Sequence, residues 1–599
     1  MTKRRNLVGG RTVLVLLGMF VLIALLASQG QGQEPRSSER GESEGQIFWF
    51  PILTKKYPQA SDPGNRPAYG VVFMSSAEAP ADTQQYENAL STGANLNRWP
   101  IYWPIVESSS GVFSWTTQDA TIREDLAHGL RVNAILLGTP AFYQTGAPLP
   151  APSAPERRPA GNLSLYASER ATPQGLYAPV FSDGSDTPGP GKTINGANRW
   201  ARFVFLAVNR YKPGGVLAQL HNWPQGMGVR YWEMWNEPDL SSFWDGTLPD
   251  YARLLKVGHL AAKHADPQAQ VLFGGLANFS WPAFYDEVLD IYDGDALARQ
   301  YGYFHDIFAT HNYSYSWRSW QYVFNARNTM LAHGFEKPIW LNESGVRAWS
   351  DYPGPVWDPH SAFSATLGEQ ASFVIQSGFY ATFAGADAIF HFQLYDGCGN
   401  QPAGTDFPPH MGELCTADGR LISDPRFPCA GDANGLFSNP NDAACFTQHP
   451  TPESPRPNYA AFRVLTTHLR DVVPLWRQRP GDDDNNPITG PQEWIAFYRP
   501  ATGQRIVGMW SRVGNDELAR LPAIASQATL VLPNGATQTI TPRNGVYEIV
   551  LPRATYQNTP TLNIDSSNYA IGGPPVIVIE HGAQATQATI NEPWWEMDR

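Results

Sequence analysis

From residue 68 onward, apolar runs of four to eight residues alternate with longer stretches of helical spacing. A short apolar run bounded by turn residues is the pattern of a strand buried on both faces. The amphipathic stretch that follows is the pattern of its crossover helix. Strands are expected at 69–73, 94–99, 132–137, 229–235, 271–275, 307–311, 339–342 and 388–392. Helices are expected between them, among others at 119–128, 197–210, 251–264, 320–333 and 368–385. Eight such units over about 400 residues predict a (β/α)8 TIM barrel rather than an open doubly wound sheet. Two long insertions, 144–195 and 396–457, follow the third and eighth strands. Both fall at strand C-terminal ends, where barrels carry their sites and rims.

Past about residue 480 the period shortens to two. Alternating segments at 494–498, 506–510, 528–531, 537–541, 546–550 and 576–579 are separated by Gly, Asn and Pro. That pattern predicts a C-terminal antiparallel β-sandwich. The apolar segment 47–53 is expected to add a strand to it. The resulting plan is a signal peptide or membrane anchor at 1–28, then a linker and leading strand at 29–66. The barrel follows at 67–480 with its insertion at 396–457, then the sandwich at 481–582 and a tail at 583–599.

Composition narrows the partners. Lys and Arg number 43 against 55 Asp and Glu, a net charge of -12, which leaves no cationic surplus for nucleic acid. Lys3, Arg4, Arg5 and Arg11 precede an uncharged apolar run at 12–27 that ends in small residues, the pattern of a secretory signal. An uncleaved anchor is the one membrane association this leaves open, because the run is near the lower length limit for a span. Cys398, Cys415, Cys429 and Cys445 all lie in one loop-like window. In an exported protein they predict two disulfides, with three pairings open. No G-x-G-x-x-G follows the first strand, no G-x-x-x-x-G-K-[ST] occurs, and the 13 His form no H-E-x-x-H. No nucleotide, cofactor or metal is therefore expected. The 20 Trp are core residues by default, although a flat apolar face with one donor also suits a sugar ring.

Two glutamates carry the candidate chemistry. The string Val229-Arg-Tyr-Trp-Glu-Met-Trp-Asn-Glu-Pro-Asp239 places Asn236 and Glu237 at the end of the fourth strand. Pro338-Ile-Trp-Leu-Asn-Glu-Ser-Gly345 places Glu343 at the end of the seventh. A closed barrel brings such ends towards one axis, and facing carboxylates are what glycoside hydrolysis requires. A second Asn-Glu-Pro at 591–593 follows no strand-like run and is read as tail.

These strings resemble glycoside hydrolase clan A, the retaining (β/α)8 glycosidases, over about residues 69–465. The segment from Trp235 to Trp244 is most similar to family 39, the β-xylosidase and α-L-iduronidase family, with family 5 as the runner-up. The resemblance implies a carbohydrate substrate, Glu237 as acid/base and Glu343 as nucleophile. It implies that Arg98 and Tyr313 hydrogen-bond the nucleophile. Asn236 would bind a substrate hydroxyl, and His311 would contact substrate or the acid/base. Where the clan often has Trp after the eighth strand, this sequence has Phe390-His391-Phe392-Gln393, and Phe142 stands where a third-strand aromatic is expected. His391 is a candidate for substrate contact or for strand-end packing, and Trp103, Trp235, Trp244 and Trp317 are candidate sugar platforms. A non-catalytic carbohydrate-binding or envelope protein on the same fold stays open beside the hydrolase, as does a transglycosylase.

Overall fold

Eight strands form one parallel sheet: β1 (Ala68–Val72), β2 (Leu96–Tyr102), β3 (Arg131–Leu137), β4 (Tyr231–Asn236), β5 (Gln270–Gly275), β6 (Phe308–Asn312), β7 (Ile339–Ser344) and β8 (Ala388–His391). Sequential strands are neighbours, and β8 pairs back onto β1. Between β5 and β6 the ring is closed by parallel bridges at Leu272–Ile307 and Leu276–Thr310. The sheet is thus a TIM barrel, as expected, and its strands are buried almost throughout. This computed structural model describes residues 67–144, 170–348, 351, 364–395, 433–438, 440, 449–480, 490–555 and 569–582.

The helices around it are α1 (Thr83–Ser91), α2 (Thr116–Ala127), α3 (Arg199–Tyr211), α4 (Leu248–Ala265), α5 (Phe284–Asp293), α6 (Arg318–Ala332), α7 (Leu367–Ala384) and α8 (Pro457–His468). Several starts follow from local chemistry. The Asp82 and Asn198 side chains accept from Gln85 N (2.7 Å) and Ala201 N (3.0 Å). Thr247 with Asp250, and Thr366 with Glu369, form reciprocal capping boxes at α4 and α7, which satisfies amides that the first turn leaves unpaired.

The sandwich comprises β9 (Val473–Gln478), β10 (Gln492–Arg499), β11 (Gln504–Ser511), β12 (Glu517–Pro522), β13 (Ala528–Val531), β14 (Thr537–Ile540), β15 (Val546–Leu551) and β16 (Val576–His581). Six strands run in the order β9-β10-β11-β16-β13-β14, and β12 pairs with β15. The first strand starts ahead of residue 480. Pro474 and Arg477 interrupt its alternation, and a bulge falls between Pro474 and Trp476. This domain packs on α7. Phe379 meets Phe497 edge-on at 5.6 Å, and the Tyr380 hydroxyl donates to Glu493 at 2.8 Å.

Among the described residues, no helix is long and apolar enough to cross a membrane. The N-terminal segment 1–28, the expected strand at 47–53, the four cysteines and the second Asn-Glu-Pro lie outside the described residues.

Candidate active site

In a regular strand alternate residues face opposite sides, so Glu233 and Trp235 would share one face of β4, and Met234 and Asn236 the other. The structure departs from this at Trp235, whose φ is +78°. Met234 and Trp235 both turn outward: Met234 packs against Gly258 of α4, and the Trp235 indole donates to the Phe243 carbonyl at 2.8 Å. Glu233 and Asn236 consequently both face the barrel axis, where each accepts from Arg98. A parallel device operates on β7. Its pairing with β6 shifts between Thr310 and His311, leaving Asn342 as an extra residue. Asn342 and Glu343 can then both turn inward, Asn342 to Glu233 and Glu343 to Arg98.

Arg98 is the hub. On β2, Asn97 and Trp99 point outward to Asp125 of α2, at 2.9 and 3.0 Å, and the intervening Arg98 points in. Its guanidinium is fully buried. Nε and Nη2 each donate to Glu233 at 2.8 Å, Nη2 also donates to Asn236 Oδ1 at 2.8 Å, and Nη1 donates to Glu343. The Tyr313 hydroxyl donates to the other Glu343 oxygen. Burial and the neighbouring Glu343 charge push the Tyr313 phenol well above its ordinary value, so it stays a donor.

His311 Nδ1 lies 2.7 Å from Glu237 Oε1 and 3.6 Å from Glu343 Oε2. Arg98 Nη2 sits 3.5 Å from His311 Nε2. Both Nη2 hydrogens already go to Glu233 and Asn236, so this is a close contact, and the imidazole's hydrogen bond is the one between Nδ1 and Glu237. Burial pushes this imidazole down to about 4, which keeps it neutral near neutral pH. Burial raises the Glu237 carboxyl to about 7, with Arg98 opposing and Glu233 adding to the rise. Ligand atoms of Glu237, His311 and Glu343 all lie within 4.8 Å of one another.

That trio could geometrically hold a cation, but Arg98 already places a fixed positive charge against Glu343 and beside His311. Electrostatics therefore fit it to a protonic site better than to a metal site. The exposed group of Asp290, Asp293 and His333 is the other such cluster among the described residues, and His333 is already bonded to Asp293 at 2.7 Å.

Of the candidate residues, Arg98, Asn236, Glu237, His311, Tyr313 and Glu343 converge. Others do not. Trp103 and Trp244, expected as sugar platforms, are 0% and 4% exposed. The Trp103 ring stacks on Phe203 at 5.1 Å, and Trp244 packs edge-on against the equally buried Trp235 at 5.0 Å. None of the three offers a free face, because each fills the space between strand and helix. Trp317 is half-buried beside Tyr315, and Phe142 is 38% exposed on the loop after β3. His391 is packing: it is buried and its Nε2 donates to the Asn434 carbonyl at 2.9 Å. Phe392 takes the place after β8, edge-on to Tyr313 at 5.6 Å.

Sequence reasoning missed Glu233, Asn133, Asn342 and Asp239. The first three meet inside the barrel. Asp239 accepts from the Ala277 and Asn278 amides at 3.1 and 2.8 Å, tying the loop after Glu237 to the loop after β5. A charged residue two places from a strand end was the available signal for Glu233.

Neither a family model nor a curated protein sequence matches the chain. Solved structures do. A family 39 glycoside hydrolase from the gut symbiont Bacteroides cellulosilyticus WH2 matches with TM-score 0.50 at 14% identity, over 86% of this chain and 81% of that one. A GH39 β-xylosidase from Caulobacter crescentus matches at TM-score 0.46 and 14% identity, over 87% and 97%. A GH30 endoxylanase from Clostridium papyrosolvens C71 matches at TM-score 0.46 and 12% identity, over 87% and 98%. None of these three is a family 5 enzyme. The fold is the one seen in the family 39 glycoside hydrolase from Bacteroides cellulosilyticus.

Proposed function

We propose that this protein is an exported glycoside hydrolase that cleaves O-glycosidic bonds of oligo- or polysaccharides with retention of configuration. The observation that carries this reading is the spacing of two buried carboxylates, whose facing oxygens lie within 4.8 Å. Retaining enzymes hold the pair about 5–5.5 Å apart, whereas inverting ones leave about 6.5–9.5 Å for a water.

The environments divide the roles. Glu343 accepts from Arg98 and Tyr313, which aim it as a nucleophile. Glu237, raised to about 7 by burial, carries a proton near neutrality as a general acid should. His311 Nδ1 bonds its Oε1 at 2.7 Å and so orients the carboxyl. In the first step a Glu343 oxygen bonds to the anomeric carbon while the bond to the leaving oxygen breaks, and Glu237 protonates that oxygen. In the second, Glu237 takes a proton from water, whose oxygen displaces Glu343 and restores the carboxylate. Asn236 commits Oδ1 to Arg98, and its Nδ2 is buried without a partner, a donor kept for a sugar hydroxyl. The basic start and apolar run at 12–27 support export.

Screening nitrophenyl glycosides against wild type and Glu343→Gln tests this. At least one glycoside is expected to turn over, with a loss of about 10⁴-fold or more in the variant. Unchanged turnover in the variant would rule out Glu343 as the nucleophile, and no turnover of any glycoside by the wild type would favour a non-catalytic carbohydrate-binding protein.

A further inference from the structure

The buried carboxylate of Glu233 touches no space a substrate could enter, yet five donors converge on it. Arg98 Nε (2.8 Å), Asn133 Nδ2 (2.7 Å) and Asn342 Nδ2 (3.0 Å) reach Oε2, while Arg98 Nη2 (2.8 Å) and Gly275 N (2.9 Å) reach Oε1. Both side chains of the Arg98–Glu233 pair are wholly buried. Such a pair is costly to bury and is weak evidence for stability. Its placement asks for another explanation.

Arg98 faces two carboxylates, Glu233 and Glu343, together with the Asn236 amide oxygen and His311 Nε2. Glu343 loses its negative charge when it becomes an ester, and regains it when the ester is hydrolysed. A buried guanidinium paired with Glu343 alone would be left uncompensated at the ester stage. It would hold the nucleophile too firmly as a carboxylate. We infer that Glu233 is a positioning and charge-balancing residue, which fixes Arg98 and cancels its charge so that Glu343 can alternate between carboxylate and ester. This rests on the glycosidase reading above.

The two half-reactions should respond in opposite senses, which a merely structural role would not produce. The test is stopped-flow release of dinitrophenol from the dinitrophenyl glycoside of whichever sugar the wild type accepts. Burst rate reports ester formation, and steady-state rate after the burst reports hydrolysis. Glu233→Gln is expected to cut the ratio of ester formation to hydrolysis by about 100-fold, abolishing the burst. Glu233→Asp, and Glu233→Gln with Asn133→Asp, both keep a negative charge in the cluster and should hold the ratio within about threefold of wild type. These two variants decide the matter if Glu233→Gln alone does not fold. A folded Glu233→Gln with an intact burst overturns the proposal, as does a tenfold or greater fall in the ratio in both charge-keeping variants. Absence of wild-type turnover on any glycoside would overturn the underlying glycosidase reading as well.

Discussion

Glu237 sits at φ +43° with its amide bonded to the Gly275 carbonyl at 2.9 Å, a backbone conformation uncommon outside glycine and frequent at functional sites. Burial has a consequence for stability. Its carboxyl is raised from 4.5 to about 7 in the folded protein, so the folded state is favoured while the group is protonated, and that advantage is lost as pH rises towards 7. At about 1.4 kcal/mol per pH unit, ionised Glu237 disfavours folding by up to about 3 kcal/mol above pH 7. Glu237→Gln should raise Tm at pH 8, with the gain vanishing by about pH 4 in paired thermal melts. The same variant should lose turnover of glycosides with poor leaving groups far more than of dinitrophenyl ones. Wild-type kcat/KM should fall as pH rises through about 7. Glu237 and Glu343 are legible in the sequence because strand ends in a barrel converge. The burial of Trp103 and Trp244 is not, since indole chemistry serves core and sugar equally well until a neighbour takes its face.

The two strands that carry the glutamates each break their own period. Positive φ at Trp235 and the extra residue Asn342 turn Glu233, Asn236, Asn342 and Glu343 towards one axis. Pattern reading finds these strands from their apolar runs, but a period of two assigns Glu233 and Asn236 to opposite faces, and so hides the Arg98 cluster. Short polar helices are hidden likewise: α1, with its Gln, Glu and Asn, shows little apolar face. Close approach also leaves its mark on β5. A Cβ on Gly275 would lie 2.1 Å from His311 Nε2 and 2.9 Å from Asn342 Oδ1, so only glycine fits between β4 and β6 there. Gly275→Ala should displace His311, reduce kcat by about 100-fold and destabilise by about 1–3 kcal/mol, as measured by steady-state kinetics and urea melts. Wild-type kinetics in a folded Gly275→Ala would contradict the role given to His311.

At the scale of the molecule, α7 is buried on both sides, by the barrel and by the sandwich. Phe379 lies so close to β11 that a Cβ on Gly508 would come within 2.3 Å of its ring, and Gln376 donates to the Gly573 carbonyl at 2.9 Å. A shared buried element couples the stability of the two domains. Calorimetry of the full chain should therefore show one transition, and Phe379→Ala should lower its midpoint by an amount equivalent to about 3–5 kcal/mol without splitting it. Two resolved transitions in the wild type would show that the domains melt apart.

The central claim is that Glu343 attacks an anomeric carbon while Glu237, within 4.8 Å, manages the proton. Its most direct test is to trap the ester with the 2-deoxy-2-fluoro glycosyl fluoride of an accepted sugar, then map the adduct by peptide mass spectrometry. One sugar per chain, attached at Glu343, is the predicted result; no covalent adduct, or an adduct at any other residue, would contradict it.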